Sequence, residues 1–364
     1  MAASDREQIL IKNIYYMLAY AFKALQQKNY KDMETVQFDN AQNLFAAILA
    51  QGISQQLKQG LYKEYIDQEG DLSVLHGKIS FPGTIRNQIA HRQQLHCEYD
   101  ELSENNLLNQ IIKTTALILV GSSEVKKEYR QRLRSEMLFF SSVDEVEPSS
   151  IRWSELRFHR NNETYLMLIG ICQLVLNGML QTEDDGSYKL AAFEDSQEMS
   201  HLYEKFLLEY YRREHPELKA SASQIRWALD DGVQTALPIM QSDIMLQRER
   251  ENSVLIIDAK YYAHNMQVQY NKRTIHSGNM YQIYTYVKNK EFELEKSGEP
   301  HKVSGMLLYA KTVDVIQPDS VFQMHGNQIE VTTLDLYQPF SAIKKSLNNI
   351  VYNYFSCGFL IVYM

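Results

Sequence analysis

Two short apolar runs in the second half of the chain each carry an acid: Asp243 in "SDIML" (242–246) and Asp258 in "VLIIDAKYY" (254–262), with Lys260 two residues further on. Runs this short and this rich in Ile, Leu and Val are buried strands rather than helices. A buried strand carries a charge only where the charge is paired, ligated or used. The polar link "QRERENS" between the runs predicts a β-hairpin. Residues two apart on a strand share a face, so Asp258 and Lys260 point the same way while Ala259 packs behind them. Asp243, on the neighbouring strand, can then converge with Asp258 on one ion.

The elements around this hairpin predict a small α/β core. "SQEMSHLYEKFLLEYYRRE" precedes it, and Met199, Leu202, Tyr203, Phe206, Leu207, Tyr210 and Tyr211 trace one helical stripe. "SGNMYQIYTYVKNK" follows as a second helix with Ser277 as its N-cap. The strands "KVSGMLLYA" and "NQIEVTTLDL" and a last helix near 338–352 complete a mixed sheet flanked by helices. The first half reads as mainly helical: Ile14, Met17, Leu18 and Phe22 recur at helical spacing, as do Leu44, Phe45, Ile48 and Leu49. Helices are also predicted at "ENNLLNQIIKTTALILV", "SSEVKKEYRQRLRSEMLFF" and "ETYLMLIGICQLVLNGML". A small β part is expected near 70–100, with strands "DLSVLHGKISF" and "QQLHCEYDEL" around a turn-rich segment holding Pro82 and Gly83. The acidic stretch "QTEDDGSYK" (181–189) marks the boundary, giving domains 1–185 and 190–364 in an α/β (α+β overall) chain. Asp230 and Asp231, beside Gly232, read as a turn.

Composition narrows the function classes. With 45% hydrophobic and 23% charged residues the chain is an ordinary soluble globular protein. It shows no signal-peptide layout and no apolar window of membrane-spanning length, so a cytoplasmic location without membrane is expected. Three well-separated cysteines, Cys97, Cys172 and Cys357, fit a reducing compartment and no zinc ribbon. His76, His91 and His96 lack metal-site spacing with Cys97. A net charge of −8 excludes holding DNA by a global positive field, so any DNA contact needs local basic patches or a partner. The basic helix with Lys126, Lys127, Arg130, Arg132 and Arg134 is one such patch, or simply a solvated face.

The acids and the lysine point to phosphodiester hydrolysis. That reaction needs water deprotonated beside a phosphate and charge neutralised on the phosphorane, which Mg²⁺ held by hard carboxylate oxygens can do. A nearby lysine positions the water and stabilises developing charge. Asp243 and Asp258 are the expected metal ligands and Lys260 the assisting cation, with Mn²⁺ able to replace Mg²⁺. Glu204, at the margin of the helical stripe, can reach the same ion and complete its shell. Gln282 and Tyr286, four apart on the later helix, share a face distinct from the stripe of Met280, Ile283, Tyr284 and Val287 and can touch the metal shell or a phosphate. Read singly, an acid ending a strand is an exposed edge residue and Lys260 a snorkelling side chain. Asp243, fifteen residues before Asp258, turns the reading toward function.

These residues resemble the PD-(D/E)xK nuclease superfamily, with Ser242 where that pattern has proline, and Gln282-x-x-x-Tyr286 looks like the QxxxY element of its RecB-like branch. The ordered series "IKNIYYMLAYAF", "LHGKISFPGTIR", "DELSENNLLNQIIK", "MSHLYEKFLLEYYRRE", "SDIML", "IDAKYY" and "NMYQIYTY" resembles the McrC family, nuclease subunits of modification-dependent restriction systems. The resemblance runs to about residue 350, and the apolar tail "FSCGFLIVYM" departs from it. It implies Mg-dependent cleavage of double-stranded DNA containing methylated cytosine, with an McrB-like AAA+ GTPase hexamer as partner. It further implies an N-terminal part that inserts into that ring and stimulates GTP hydrolysis, and a second McrC copy paired through the nuclease domain. The chain has no G-x-x-x-x-G-K-[ST] phosphate loop, so GTP would be bound by the partner. Two other readings are a stand-alone RecB-like repair nuclease and a non-catalytic adaptor that activates a GTPase.

Overall fold

The first helix, α1 (Ala3–Ala21), belongs with the C-terminal half of the chain rather than with its sequence neighbours. In the computed structural model, residues 1–41 and 192–364 form one compact unit and residues 42–191 another. This moves α1 out of the expected 1–185 domain. The structure describes all residues except 1–2, 27, 159–164, 183–187, 191–192, 194–195, 231–235, 263–264, 270–271, 313, 315 and 356–364. Most of the predicted boundary stretch, the turn at Asp231 and Gly232, and the apolar tail with Cys357 therefore lie outside the described residues.

The reason for the placement of α1 is side-chain chemistry. The Asn13 amide, fully buried, donates to the carbonyls of Leu336 (2.7 Å) and Gln338 (2.8 Å). The Tyr20 ring meets those of Phe206 and Tyr210 at 5.6 and 5.4 Å, and its hydroxyl donates to Glu214.

The unit of residues 42–191 is mainly helical with a small sheet, as predicted. Helix α2 (Ala41–Gln59) buries Leu44, Phe45, Ile48 and Leu49. Strand β1 (Glu64–Leu72) lies earlier than "DLSVLHGKISF" suggested, and it and the short β2 (Lys78–Ile79) both pair antiparallel with β3 (Leu95–Ser103). The segment expected to be turn is helix α3 (Phe81–Ile89). Pro82 is no obstacle there, because a proline in the first turn gives up an N–H that has no intrahelical acceptor. Next come α4 (Leu107–Gly121), capped by the Asn106 side chain accepting from Asn109 N, then α5 (Lys127–Met137), α6 (Tyr165–Gly178) and the β4–β5 pair (Leu180–Thr182, Tyr188–Leu190). Within the basic helix α5, Arg132 bonds Gln51 and Glu136 rather than standing free. Cys97 and Cys172 are buried thiols.

In the other unit, α7 (Gln197–Glu214) is capped by Ser196, whose Oγ accepts from Met199 N, and all seven residues of its predicted stripe are buried. Six strands form a mixed sheet in the order β14-β15-β13-β10-β9-β6: β6 (Lys219–Ser221), β9 (Ile244–Arg248), β10 (Ser253–Lys260), β13 (Lys302–Ala310), β14 (Ser320–Met324) and β15 (Asn327–Leu334). Short pairs β7–β8 (Gln224–Ile225, Met240–Gln241) and β11–β12 (Gln267–Gln269, Lys272–Thr274) stand beside it. The predicted hairpin is present: β9 and β10 pair antiparallel around a 3-10 turn at Glu249–Glu251. The pairings β10–β13 and β13–β15 are parallel, and the central β10 and β13 are buried on both faces and read as near-continuous apolar runs. Helix α8 (Ser277–Glu295) covers the face carrying Val254, Ile256, Leu307 and Val331, and α9 (Phe340–Phe355) closes the unit. The N-cap of α8 is His276, not Ser277, which is already helical. Gly305 of β13 lets α8 approach: a Cβ there would sit 2.8 Å from both Ile283 Cγ1 and Val287 Cγ2. Among the described residues no helix is long and apolar enough to cross a membrane.

Candidate active site

The pairing of β9 with β10 brings the two strand acids together. Asp243 stands just before β9, and its Oδ2 accepts from the backbone N–H of Ala259 at 2.8 Å. Asp258, near the C-terminal end of β10, is 1% exposed, and Lys260 sits two residues on with its Nζ 2.8 Å from Asp258 Oδ2. Neither carboxylate oxygen of Asp258 receives a well-directed hydrogen bond. Ser242 is buried and uses its N–H to bond Ser223 O at 3.1 Å, a bond proline could not make.

Burial and mutual repulsion both act on the carboxyls of the site. Burial, followed by repulsion from Asp243, pushes the Asp258 carboxyl up to about 7 although Lys260 pulls it down. Asp243 is raised by burial and by Glu204, and Glu204 by burial. Burial alone would lower Lys260, but Asp258 and Asp243 outweigh it and raise the ammonium. Two acids crowded out of water beside one lysine carry more negative charge than that lysine neutralises.

The residues predicted on α8 join the site in different ways. Lys260 Nζ donates to Gln282 Oε1 at 3.4 Å, and the Gln282 amide donates to the Tyr286 hydroxyl at 2.9 Å. Tyr286 does not stand apart from the core stripe as expected. Its ring is buried in the cluster with Ile283 and Val287, and only its hydroxyl faces the polar side. Glu204 is half-buried on α7 and lines, with Asp243, Ser242, His201 and Lys205, a cavity of about 350 Å³.

A divalent cation fits this donor set. The ligand atoms are hard carboxylate oxygens, and while Asp258 Oδ2 meets the Lys260 ammonium, Oδ1 is buried without a hydrogen-bond partner, a condition that a cation relieves. Among the described residues no three His, Cys, Asp or Glu side chains lie close enough to hold a metal together. The carboxylates that would form an immediate shell are therefore Asp243 and Asp258, a count that would suit Mg²⁺, which keeps several waters and takes phosphate oxygens as further ligands.

Sequence reasoning missed one group beside the site. In the parallel register Lys260 lies opposite Tyr309 of β13. The Tyr309 hydroxyl accepts from Asn279 Nδ2 at 2.8 Å, and Tyr262 OH donates to Asn279 Oδ1 at 3.4 Å. Nothing local signals Tyr309, because only strand pairing places it.

Residues 2–310 match the family model described as McrBC 5-methylcytosine restriction system component. The chain is 28% identical over 354 residues to the type IV methyl-directed restriction enzyme EcoKMcrBC of Escherichia coli K12, covering 96% of this chain and 99% of that protein. Among solved structures, it is similar at 18% identity and a TM-score of 0.46 to a chain in the half-complex of Thermococcus gammatolerans McrB AAA+ hexamers with bound McrC, covering 93% of this chain and 76% of that one. A second structure of the Thermococcus gammatolerans McrBC complex matches at 19% identity and a TM-score of 0.39, covering 57% and 59%.

Proposed function

The chain belongs to the McrBC 5-methylcytosine restriction system family, and from that membership and the site geometry we propose that it is the nuclease subunit, cleaving DNA that contains methylated cytosine. The observation that carries the reading is the buried pair Asp243 and Asp258, with Lys260 2.8 Å from Asp258 Oδ2 and Asp258 Oδ1 buried without a hydrogen-bond partner. Asp243 and Asp258 would hold Mg²⁺, or Mn²⁺ in its place. When bound, the ion would polarise the scissile phosphate and lower the pKa of water. Lys260 directs its ammonium into the same space and stabilises charge growing on the phosphorane oxygens. Gln282 accepts from Lys260 and is held by Tyr286, which fixes the direction of the ammonium. Glu204 adds negative field from α7 and orients water in the outer shell rather than binding directly.

The partner would be an McrB-like AAA+ GTPase hexamer that binds GTP and selects the methylated DNA. The acidic net charge of −8 suits a subunit delivered to DNA by another protein. The unit of residues 42–191 would make the partner contact and stimulate GTP hydrolysis. Its β1–α3 segment supports this by exposing Tyr65, Val74, Leu75, Phe81, Ile85 and Ile89, a concentration of apolar side chains that suits a protein contact. A second copy, paired through the nuclease unit, would cut the other strand.

The test is plasmid cleavage with Mg²⁺ and GTP on methylated and unmethylated DNA, with and without the GTPase partner, and with Asp258→Ala as control. Cutting that needs partner, GTP and methylation, and is lost in the variant, is the expected result. Cutting by the chain alone, indifferent to GTP and methylation, would discard the partner and keep the nuclease.

A further inference from the structure

A second site lies on the same face of α8 as Gln282 and Tyr286. Positions 282, 286, 289, 293 and 296 follow the four-three-four-three spacing of one helical stripe. Seven residues beyond Gln282, about 10 Å along the axis at 1.5 Å per residue, the stripe enters a cavity of about 300 Å³. Arg226 and Trp227 line it from the chain after β7, and Asn289, Phe292 and Lys296 from α8 and its end.

The cavity is a built one. Trp227 Nε1 donates to Pro238 O at 2.7 Å, which fixes the indole, and Ala228 N donates to Asn289 Oδ1 at 2.6 Å, which ties that segment to α8. Its charge is positive in an acidic protein. Glu293, the acid in the lining, is paired with Lys290 at 2.8 Å, and among the described residues neither Arg226 nor Lys296 forms an ion pair. Lys296 Nζ instead lies 4.6 Å from the Phe292 ring centroid. Two exposed cations flanking two aromatic rings form the combination that takes a base by stacking and its phosphates by charge. The volume is at the small end for ligand sites, which admits one nucleotide and not a duplex.

We propose that this cavity holds one unpaired nucleotide of the DNA strand, its base against Trp227 and Phe292 and its phosphates at Arg226 and Lys296. The site would grip a strand displaced or frayed beside the cut, about 10–20 Å from Gln282 along α8. That the strand is DNA, and its distance from the cut, rest on the nuclease reading. Binding at the cavity does not.

The full chain has two tryptophans, Trp153 and Trp227, so in a Trp153→Phe background the fluorescence excited selectively in tryptophan, at the red edge where tyrosine does not absorb, reports Trp227 alone. The probe is a ten-nucleotide oligo-dT in EDTA, with dTMP and a blunt duplex as comparisons. Saturable quenching by the oligonucleotide, at least about tenfold tighter than by dTMP or the duplex, is expected. The surface variant Arg226→Glu/Lys296→Glu should weaken it about tenfold or more and reduce the salt slope by about 1.4, at about 0.7 per phosphate contact. Trp227→Ala, followed by fluorescence anisotropy of a labelled oligonucleotide, should weaken binding about tenfold, with circular dichroism checking the fold. Absence of quenching, quenching unaffected by the double charge variant, or equal response to dTMP would each overturn the proposal. A chain that quenches but never cuts keeps this site and loses the nuclease reading. One that cuts without quenching does the reverse.

Discussion

The backbone amide of Ala259 donates to the Oδ2 of Asp243 at 2.8 Å, so the residue between Asp258 and Lys260 itself clamps the acid of the neighbouring strand. One hydrogen bond thereby sets the spacing of the two carboxylates and leaves the second Asp243 oxygen for other work.

That bond separates two substitutions. Asp243→Asn retains an acceptor for Ala259 N–H and removes the charge, whereas Asp243→Ala also orphans a buried N–H. Both are expected to reduce Mg²⁺-dependent cleavage by at least about a hundredfold, if the carboxylate is a metal ligand. Only the alanine variant should lose about 1–3 kcal/mol of stability, read by urea denaturation. Equal stability losses would mean that the bond is not formed in solution.

Asp258 makes the folded state pH-dependent. Its carboxyl, raised to about 7 by burial and Asp243, keeps a proton in the folded chain that the unfolded chain has lost above about pH 4. Stability from this group therefore falls as pH rises from about 4 to about 7 and is flat above. Asp258→Asn should flatten that part of the profile and raise Tm at pH 8, while abolishing cleavage. Millimolar Mg²⁺ should raise the wild-type Tm at pH 8 by roughly 2–4 °C or more and leave Asp258→Asn unmoved. A wild-type Tm indifferent to Mg²⁺ would count against the metal pair.

Gln282 is held between Lys260 and Tyr286. Gln282→Ala is expected to lower kcat about tenfold with little change in KM, because it frees the ammonium without removing it. Tyr286→Phe, which removes only the hydroxyl that holds Gln282, should give a smaller fall in kcat. A larger effect from Tyr286→Phe than from Gln282→Ala would reverse the order of support.

Gly305→Ala places a methyl 2.8 Å from Ile283 and Val287 on α8. Overpacking of this kind costs about 1–3 kcal/mol. The companion change Val287→Ala should recover part of it, seen as a positive coupling in a double-mutant cycle of Tm or denaturant midpoints.

The placement of α1 predicts fragment behaviour. A fragment of residues 190–364 lacks the Asn13 bonds to Leu336 and Gln338 and the Tyr20 ring contacts, and it should fold poorly. Adding residues 1–41 in trans should restore a cooperative transition. A stable 190–364 fragment would make α1 dispensable.

Much of this protein was legible in its residues because the relevant forces are local. The α7 stripe, the strand acids and the hairpin link each follow from side-chain periodicity, which is fixed by backbone geometry within a few residues. The candidate site was legible as Asp243, Asp258 and Lys260, which the structure brings together, because charge in an apolar strand has few structural explanations. Pairing and burial decided the rest. The sequence alone does not show that Lys260 lies opposite Tyr309, that Tyr286 is buried with only its hydroxyl offered, or that helix α1 packs with residues nearly two hundred positions away. These depend on contacts distant in sequence, where the free energy of burying a surface, and not the preference of any one segment, selects the partner.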